Sequence, residues 1–99
     1  RTKICGGGAK SLLWRKIIAN VMNLKVDLIE SEEGAALGGA MLAAVACGEY
    51  ENVEEAAHKI VKITGTVEPE PELVEKYEAR YQVFRQIYPA CKPLFALMK

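Results

Sequence analysis

The sequence predicts an α/β fold, helix-rich and built around one βαβ unit. Two observations carry this. Thr2-Lys3-Ile4-Cys5 leads through three consecutive glycines into an amphipathic segment, after which Lys25 to Ile29 alternates as a second strand would. Strand, helix and strand in that order favour a parallel pair. Everything beyond residue 30 then reads as helix, apart from a short irregular or briefly extended stretch from Thr64 to Glu68.

In the first helix, Leu13, Trp14, Ile17, Ile18 and Val21 recur at helical spacing and mark the expected buried face, with Trp14 in the core and Arg15, Lys16 and Asn20 on the other side. Asn23 tolerates the left-handed conformation that ends a helix. In the second strand Val26 and Leu28 face one way. Ser31 is a reasonable N-cap for the next helix, and Glu32 and Glu33 suit the positive end of its dipole. That helix, Gly34 to Cys47, is apolar on nearly every side and is expected to be buried on more than one face. Gly34, Gly38 and Gly39 each cost it about 1 kcal/mol in a helix interior, a loss that close approach by another backbone or a ligand would offset. Gly48 ends it.

Asn52 with Glu55 imitates a capping box for a short helix whose inner face is Val53, Ala56, Ala57, Ile60 and Val61, with His58 opposite. Pro69 and Pro71 punctuate the chain before a last helix. There Leu73, Tyr77, Tyr81, Phe84, Ile87 and Tyr88 form a stripe expected to lie in the core, interrupted by Pro89 and Pro93. The apolar tail Leu94 to Met98 is expected to dock as a final turn or fray.

Composition narrows the function. Ninety-nine residues hold one domain at most, and so short a chain needs an economical core or a partner to complete it. Thirteen basic and thirteen acidic residues, interspersed, recommend neither nucleic acid nor an anionic membrane as partner. The most apolar run falls short of the roughly 20 residues of a membrane span. No secretory signal is visible at the charged start, and there is no initiator Met. Three widely spaced cysteines, Cys5, Cys47 and Cys91, fit neither a disulfide framework nor a metal site, and read as reduced residues of a cytoplasmic protein.

Chemistry concentrates at Cys5-Gly6-Gly7-Gly8-Ala9-Lys10-Ser11. Glycines let backbone N–H groups approach a ligand, and a helix starting just after them offers unpaired donors to phosphate. A P-loop is excluded, because Ala9 and Ile4 stand where it requires glycine. A Rossmann-like dinucleotide fingerprint fits better, with Gly6-Gly7-Gly8 as its first part and Glu30 as a ribose-binding acid, but Ser11 replaces its third glycine. A third possibility is a non-enzymatic helical module that self-associates through Gly34 to Cys47. His58 lacks a second ligand at metal spacing, and Glu32 and Glu33 point in different directions, which excludes them as an acid/base pair.

Taken together, Gly6-Gly7-Gly8-Ala9-Lys10-Ser11 with Trp14 and Ile17 to Val21, then Glu33-Gly34-Ala35-Ala36-Leu37-Gly38, then a Tyr-rich helix ending Ile87-Tyr88-Pro89, resemble the C-terminal end of FGGY carbohydrate kinases. Within that family the pattern is most similar to the xylulose-phosphorylating branch. It departs from the family at Asn20, where Asp is usual, and at Gly39, where Ala is common.

The resemblance implies an ATP- and Mg2+-dependent, cytoplasmic sugar kinase that phosphorylates D-xylulose on its 5-hydroxyl. Residues 1–99 would be the C-terminal fragment of its second, nucleotide-binding domain, which has a ribonuclease H-like (actin-like ATPase) fold. It implies that Gly7 and Gly8 present backbone to the adenosine part of ATP, with Ser11 near adenine and Lys10 beside them. It also implies that the catalytic base, the metal ligands and the sugar site lie upstream of residue 1. The isolated fragment is then expected to be inactive and, with its apolar helix and sheet edges under-covered, to form a homodimer.

Overall fold

The computed structural model describes residues 1–98. A three-stranded sheet is formed by β1 (Thr2–Ile4), β2 (Val26–Ile29) and β3 (Ile63–Val67) in that spatial order, with β2 in the middle. The βαβ unit is present as expected: β1 and β2 run parallel, Thr2 opposite Val26 and Ile4 opposite Leu28, joined by α1 (Leu12–Met22). The Thr64 to Glu68 stretch is more regular than its sequence suggested. It forms β3, antiparallel to β2, with Val67 opposite Val26 and an irregularity between Leu28 and Ile29.

The remaining elements are α2 (Gly34–Ala46), α3 (Val53–Ile60), α4 (Pro71–Phe84) and α5 (Ile87–Phe95), followed by a short 3-10 turn, Ala96–Met98. Their termini follow local chemistry. Asn23 takes φ 50 and Gly48 takes φ 81, both left-handed, at the ends of α1 and α2. Asn52 caps α3, its Oδ1 accepting from the Glu55 N–H at 2.8 Å, while the Glu55 carboxylate reaches back to the Glu51 N–H. Ser31 is not the cap of α2. Its Oγ accepts from the Glu33 N–H within the loop, and Glu33 occupies the N-cap position. The Tyr-rich stripe is split at Arg85 and Gln86 rather than at the prolines. Pro89 falls in the first turn of α5, where its missing N–H costs no bond, and Pro93 is carried inside that helix.

The core is small: Ala19, Val26 and Val67, with Ile4 and Ile18 packed against them. It forms where α1 crosses the sheet, and α4 packs in turn on α1. The face that α1 turns inward matches the expected one only in part: Ile17 and Ile18 are half-buried, with Ile18 packed on the core. Ala19 and Asn20 are buried and Arg15 is half-buried, whereas Leu13 is 69% and Trp14 50% exposed. Ala19 has no bulk to hold the helix off Val26 and Val67, and the Arg15 guanidinium passes over Gly65, where a Cβ would lie 3.8 Å from Nη1. Asn20 is used structurally: the Glu70 N–H, at the N-cap of α4, donates to its Oδ1 at 2.7 Å.

Two further expectations fail. No residue of α2 is buried, because α2 packs mainly along α3 and meets the end of β1 only at Gly34. The aromatic stripe is also mostly outside the core: Leu73 and Tyr77 are half-buried, and Tyr81, Phe84, Ile87 and Tyr88 are exposed. The dimensions agree: the radius of gyration is 18.8 Å, against about 13 Å for a compact domain of this length. Much of the apolar surface lies along elongated helical arms, and no helix among the described residues is long and apolar enough to cross a membrane.

Candidate functional site

The glycine turn leaves the carboxyl end of β1. Gly6 has φ 91 and ψ 178, a conformation open in practice to glycine alone. The chain then makes a single 3-10 turn, Gly7–Lys10, that the sequence did not foretell. It is closed by the Ala9 N–H donating to Gly6 O at 3.1 Å and the Ser11 N–H to Gly8 O at 3.2 Å. Buried Ala9 pins this turn to the body of the structure. The first N–H groups of a helical turn have no internal partner, so those of Gly7 and Gly8 are open, and both residues are exposed.

Ser11 is the N-cap of α1, its Oγ accepting from the Trp14 N–H at 3.2 Å. The cap places the indole beside Gly8, where a Cβ would stand 3.3 Å from both Trp14 Cδ1 and Nε1. Trp14 therefore flanks the turn instead of filling the core. Gly7, Gly8, Lys10 and Ser11 are thus brought together on one exposed turn.

Beneath it, at the carboxyl ends of the parallel strands β1 and β2, is a cleft of about 140 Å³ lined by Cys5, Gly6, Ala9 and Lys10 on one side and by Leu28 to Glu32 and Thr64 on the other. Open α/β sheets use this location for ligands. Of the four predicted residues only Lys10 lines the cleft; Gly7, Gly8 and Ser11 lie outside its lining. Lys10 Nζ is 2.9 Å from Glu32 Oε1, and on the far rim Lys62 Nζ is 3.8 Å from Glu30 Oε2. Glu30, the acid a dinucleotide reading needs for ribose, is therefore already paired.

Three features of the site are not legible in the sequence alone. The first is the contact between Cys5 and Gly34: a Cβ on Gly34 would lie 2.6 Å from Cys5 Sγ, so glycine lets α2 begin directly against the end of β1. The close neighbour is a side chain, not a backbone or ligand. The second is the Lys10–Glu32 pair. The third is Asp27, fully buried in the central strand between Arg1 and Thr66. The Arg1 guanidinium holds both its carboxylate oxygens, Nη2 donating to Oδ1 at 3.0 Å, and Thr66 Oγ1 donates to Oδ1 at 2.7 Å. These hydrogen bonds, Arg1's first and Thr66's next, pull the Asp27 pKa down to about 2 against the opposing effect of burial. An acid on β2 facing away from Val26 and Leu28, with a threonine on the partner strand, was the available sequence signal.

His58 is exposed and has Glu54 at 4.0 Å, and the described residues hold no cluster of potential metal ligands.

Residues 1–47 match the FGGY family of carbohydrate kinases, C-terminal domain. A xylulose kinase of Bacillus subtilis is 35% identical over 94 residues, 95% of this chain and 19% of that protein. The chain belongs to the FGGY family of carbohydrate kinases. An autoinducer-2 kinase from an Enterobacter species is 36% identical over 83 residues, 84% of this chain and 16% of its own length. The fold is that of the solved FGGY sugar kinases. The crystal structure of ligand-bound xylulose kinase from Lactobacillus acidophilus superposes with a TM-score of 0.84 at 20% identity, over 98% of this chain and 20% of that one. The chain thus spans about a fifth of the length of its FGGY relatives. Nothing in these comparisons supports the dinucleotide-binding or interaction-module alternatives.

Proposed function

We propose that the protein carrying this chain is an ATP-dependent sugar kinase that phosphorylates D-xylulose to D-xylulose 5-phosphate in the cytoplasm. Residues 1–99 are the C-terminal part of its second, nucleotide-binding domain. The observation that carries this is the glycine turn, which presents the open N–H groups of Gly7 and Gly8 at the carboxyl end of a parallel strand pair in an FGGY chain. The adenosine part of ATP lies along Gly7 and Gly8, with the Ser11 hydroxyl near adenine and Lys10 as a further neighbour of the nucleotide. Any Cβ at Gly8 would push on Trp14, so glycine keeps this wall low.

Phosphoryl transfer is mostly positioning and charge stabilisation. This chain contributes positioning, and no residue here is assigned as catalytic base. Mg2+ belongs to the proposed reaction, but the acids nearest the cleft, Glu30 and Glu32, are each engaged by a lysine. The residues present do not fit a metal ion, and no step is routed through one.

D-Xylulose is favoured by the xylulose kinases among the relatives, while the autoinducer-2 kinase among them makes the sugar a matter for direct assay. The test is ADP release by the full-length protein with D-xylulose, D-ribulose, gluconate and glycerol as acceptors. Preference for D-xylulose supports the reading, and preference for another acceptor refutes that choice of sugar. The isolated 99-residue chain is expected to release no ADP with any of them. It is also expected to sediment as a homodimer, because α2 has no buried residue to spare it from water. A clean monomer at micromolar concentration counts against self-association.

A further inference from the structure

We propose that Glu32 competes with the phosphates of the nucleotide for Lys10, so that the Lys10–Glu32 pair is a latch across the cleft that opens when nucleotide binds. This rests on the nucleotide reading of the glycine turn. Three observations carry it. Lys10 is the one cation among the residues lining the cleft, and it shares that lining with two acids, Glu30 and Glu32. Its Nζ is engaged by Glu32 at 2.9 Å. Both side chains are about two-thirds exposed, so the pair is in water and opens at little cost.

The supports of the latch are firm where its side chains are free. Lys10 ends a turn pinned by buried Ala9, and Glu32 lies in a loop held by the Glu33 N–H to Ser31 Oγ bond just ahead of Gly34, which abuts Cys5. With both backbones placed, the side chains choose between each other and a third partner. A polyphosphate approaching this rim meets two carboxylates, each already engaged by a lysine, Glu32 by Lys10 and Glu30 by Lys62. Releasing Lys10 from Glu32 supplies the cation and exposes the Glu32 charge to solvent. Removing the Glu32 charge therefore strengthens phosphate binding through both attraction and relieved repulsion.

Fluorescence titrations of the full-length kinase with methylanthraniloyl-ADP and methylanthraniloyl-adenosine test this. Glu32→Gln is expected to tighten the diphosphate about two- to five-fold, the range of an exposed ion pair, and to leave the adenosine derivative unchanged. The gain disappears in the Lys10→Ala, Glu32→Gln double variant and shrinks at high salt, and Glu32→Asp, which keeps the charge, returns toward the wild type. An unchanged thermal melt of each variant shows that the fold is intact. The proposal is overturned if the wild type binds methylanthraniloyl-ADP and Glu32→Gln leaves it unchanged or weakens it, or if both ligands tighten alike. If neither ligand binds the wild type, the nucleotide reading fails and the latch falls with it.

Discussion

Gly34→Ala isolates the contact that joins α2 to the end of β1. A Cβ at Gly34 would sit 2.6 Å from Cys5 Sγ, where ordinary contact begins at 3.4 Å, so the sulfur or the start of α2 must move by most of an ångström. Overpacking of this kind costs about 1–3 kcal/mol, and a cysteine that can rotate about χ1 brings the cost toward the lower end. Against it stands a gain of about 0.4–1 kcal/mol from a less flexible unfolded chain. The single variant is therefore expected to be destabilised by about 0.5–2 kcal/mol. Cys5→Ala removes the obstructing sulfur, and in that background the same Gly34→Ala change becomes stabilising by roughly 0.5 kcal/mol. The decisive quantity is the coupling energy of the cycle, about 1–3 kcal/mol and unfavourable between the Cys5 sulfur and the methyl group added at position 34. Urea unfolding followed by fluorescence of the single tryptophan, Trp14, measures it. Additivity within about 0.5 kcal/mol would refute the steric argument, whatever the single variants do.

Three further outcomes follow from individual contacts. The Asp27 pKa of about 2 in the folded chain lies below the usual carboxylate value of about 4. Its contribution to stability is therefore complete above about pH 4 and lost as the pH falls toward 2, and Asp27→Asn should abolish that part of the acid dependence of the urea midpoint. Asn20→Leu leaves the Glu70 N–H without its acceptor and should cost about 1–3 kcal/mol by the same urea titration. Gly38→Ala meets no atom of its own chain within 4 Å and should stabilise the isolated chain in its monomeric form by about 1 kcal/mol, read as a rise in the urea midpoint at high dilution.

What the sequence made legible was mostly local. The αL residue at Asn23, the cap at Asn52 and the strand, turn and helix order around Gly6 each depend on a few neighbouring residues, and each is found. The stretch at 64 to 68 was legible only as irregular or briefly extended, because Gly65 dilutes its pattern and its pairing partner, β2, is remote in sequence. The inward face of α1 was legible only in part, at Ile17 and Ile18, for a related reason. Leu13, Trp14, Ile17, Ile18 and Val21 satisfy helical periodicity, but small Ala19 is what fits over Val26 and Val67. At the site, the residue types of the glycine turn could be read directly. The partners Glu32 for Lys10, Gly34 for Cys5 and Trp14 for Gly8 depend on how the turn is held against α1 and the start of α2.

The glycines of α2 separate what this chain explains from what it does not. Gly34 has a reason within the chain, the sulfur of Cys5. Gly38 and Gly39 have none: a side chain at either would meet nothing within 4 Å, on a helix with no buried residue. Helical glycines cost stability in proportion to the freedom they surrender, and an apolar helix in water adds a solvation cost of its own. Both costs are offset when a second surface packs closely on Gly38 and Gly39. Chains about five times as long, such as the FGGY relatives this one resembles over nearly its full length, have the material for such a surface. On that reasoning the stabilising effect of Gly38→Ala in the isolated chain should reverse in the full-length protein, and comparing thermal melts of the two forms would show whether a second surface packs on α2 there.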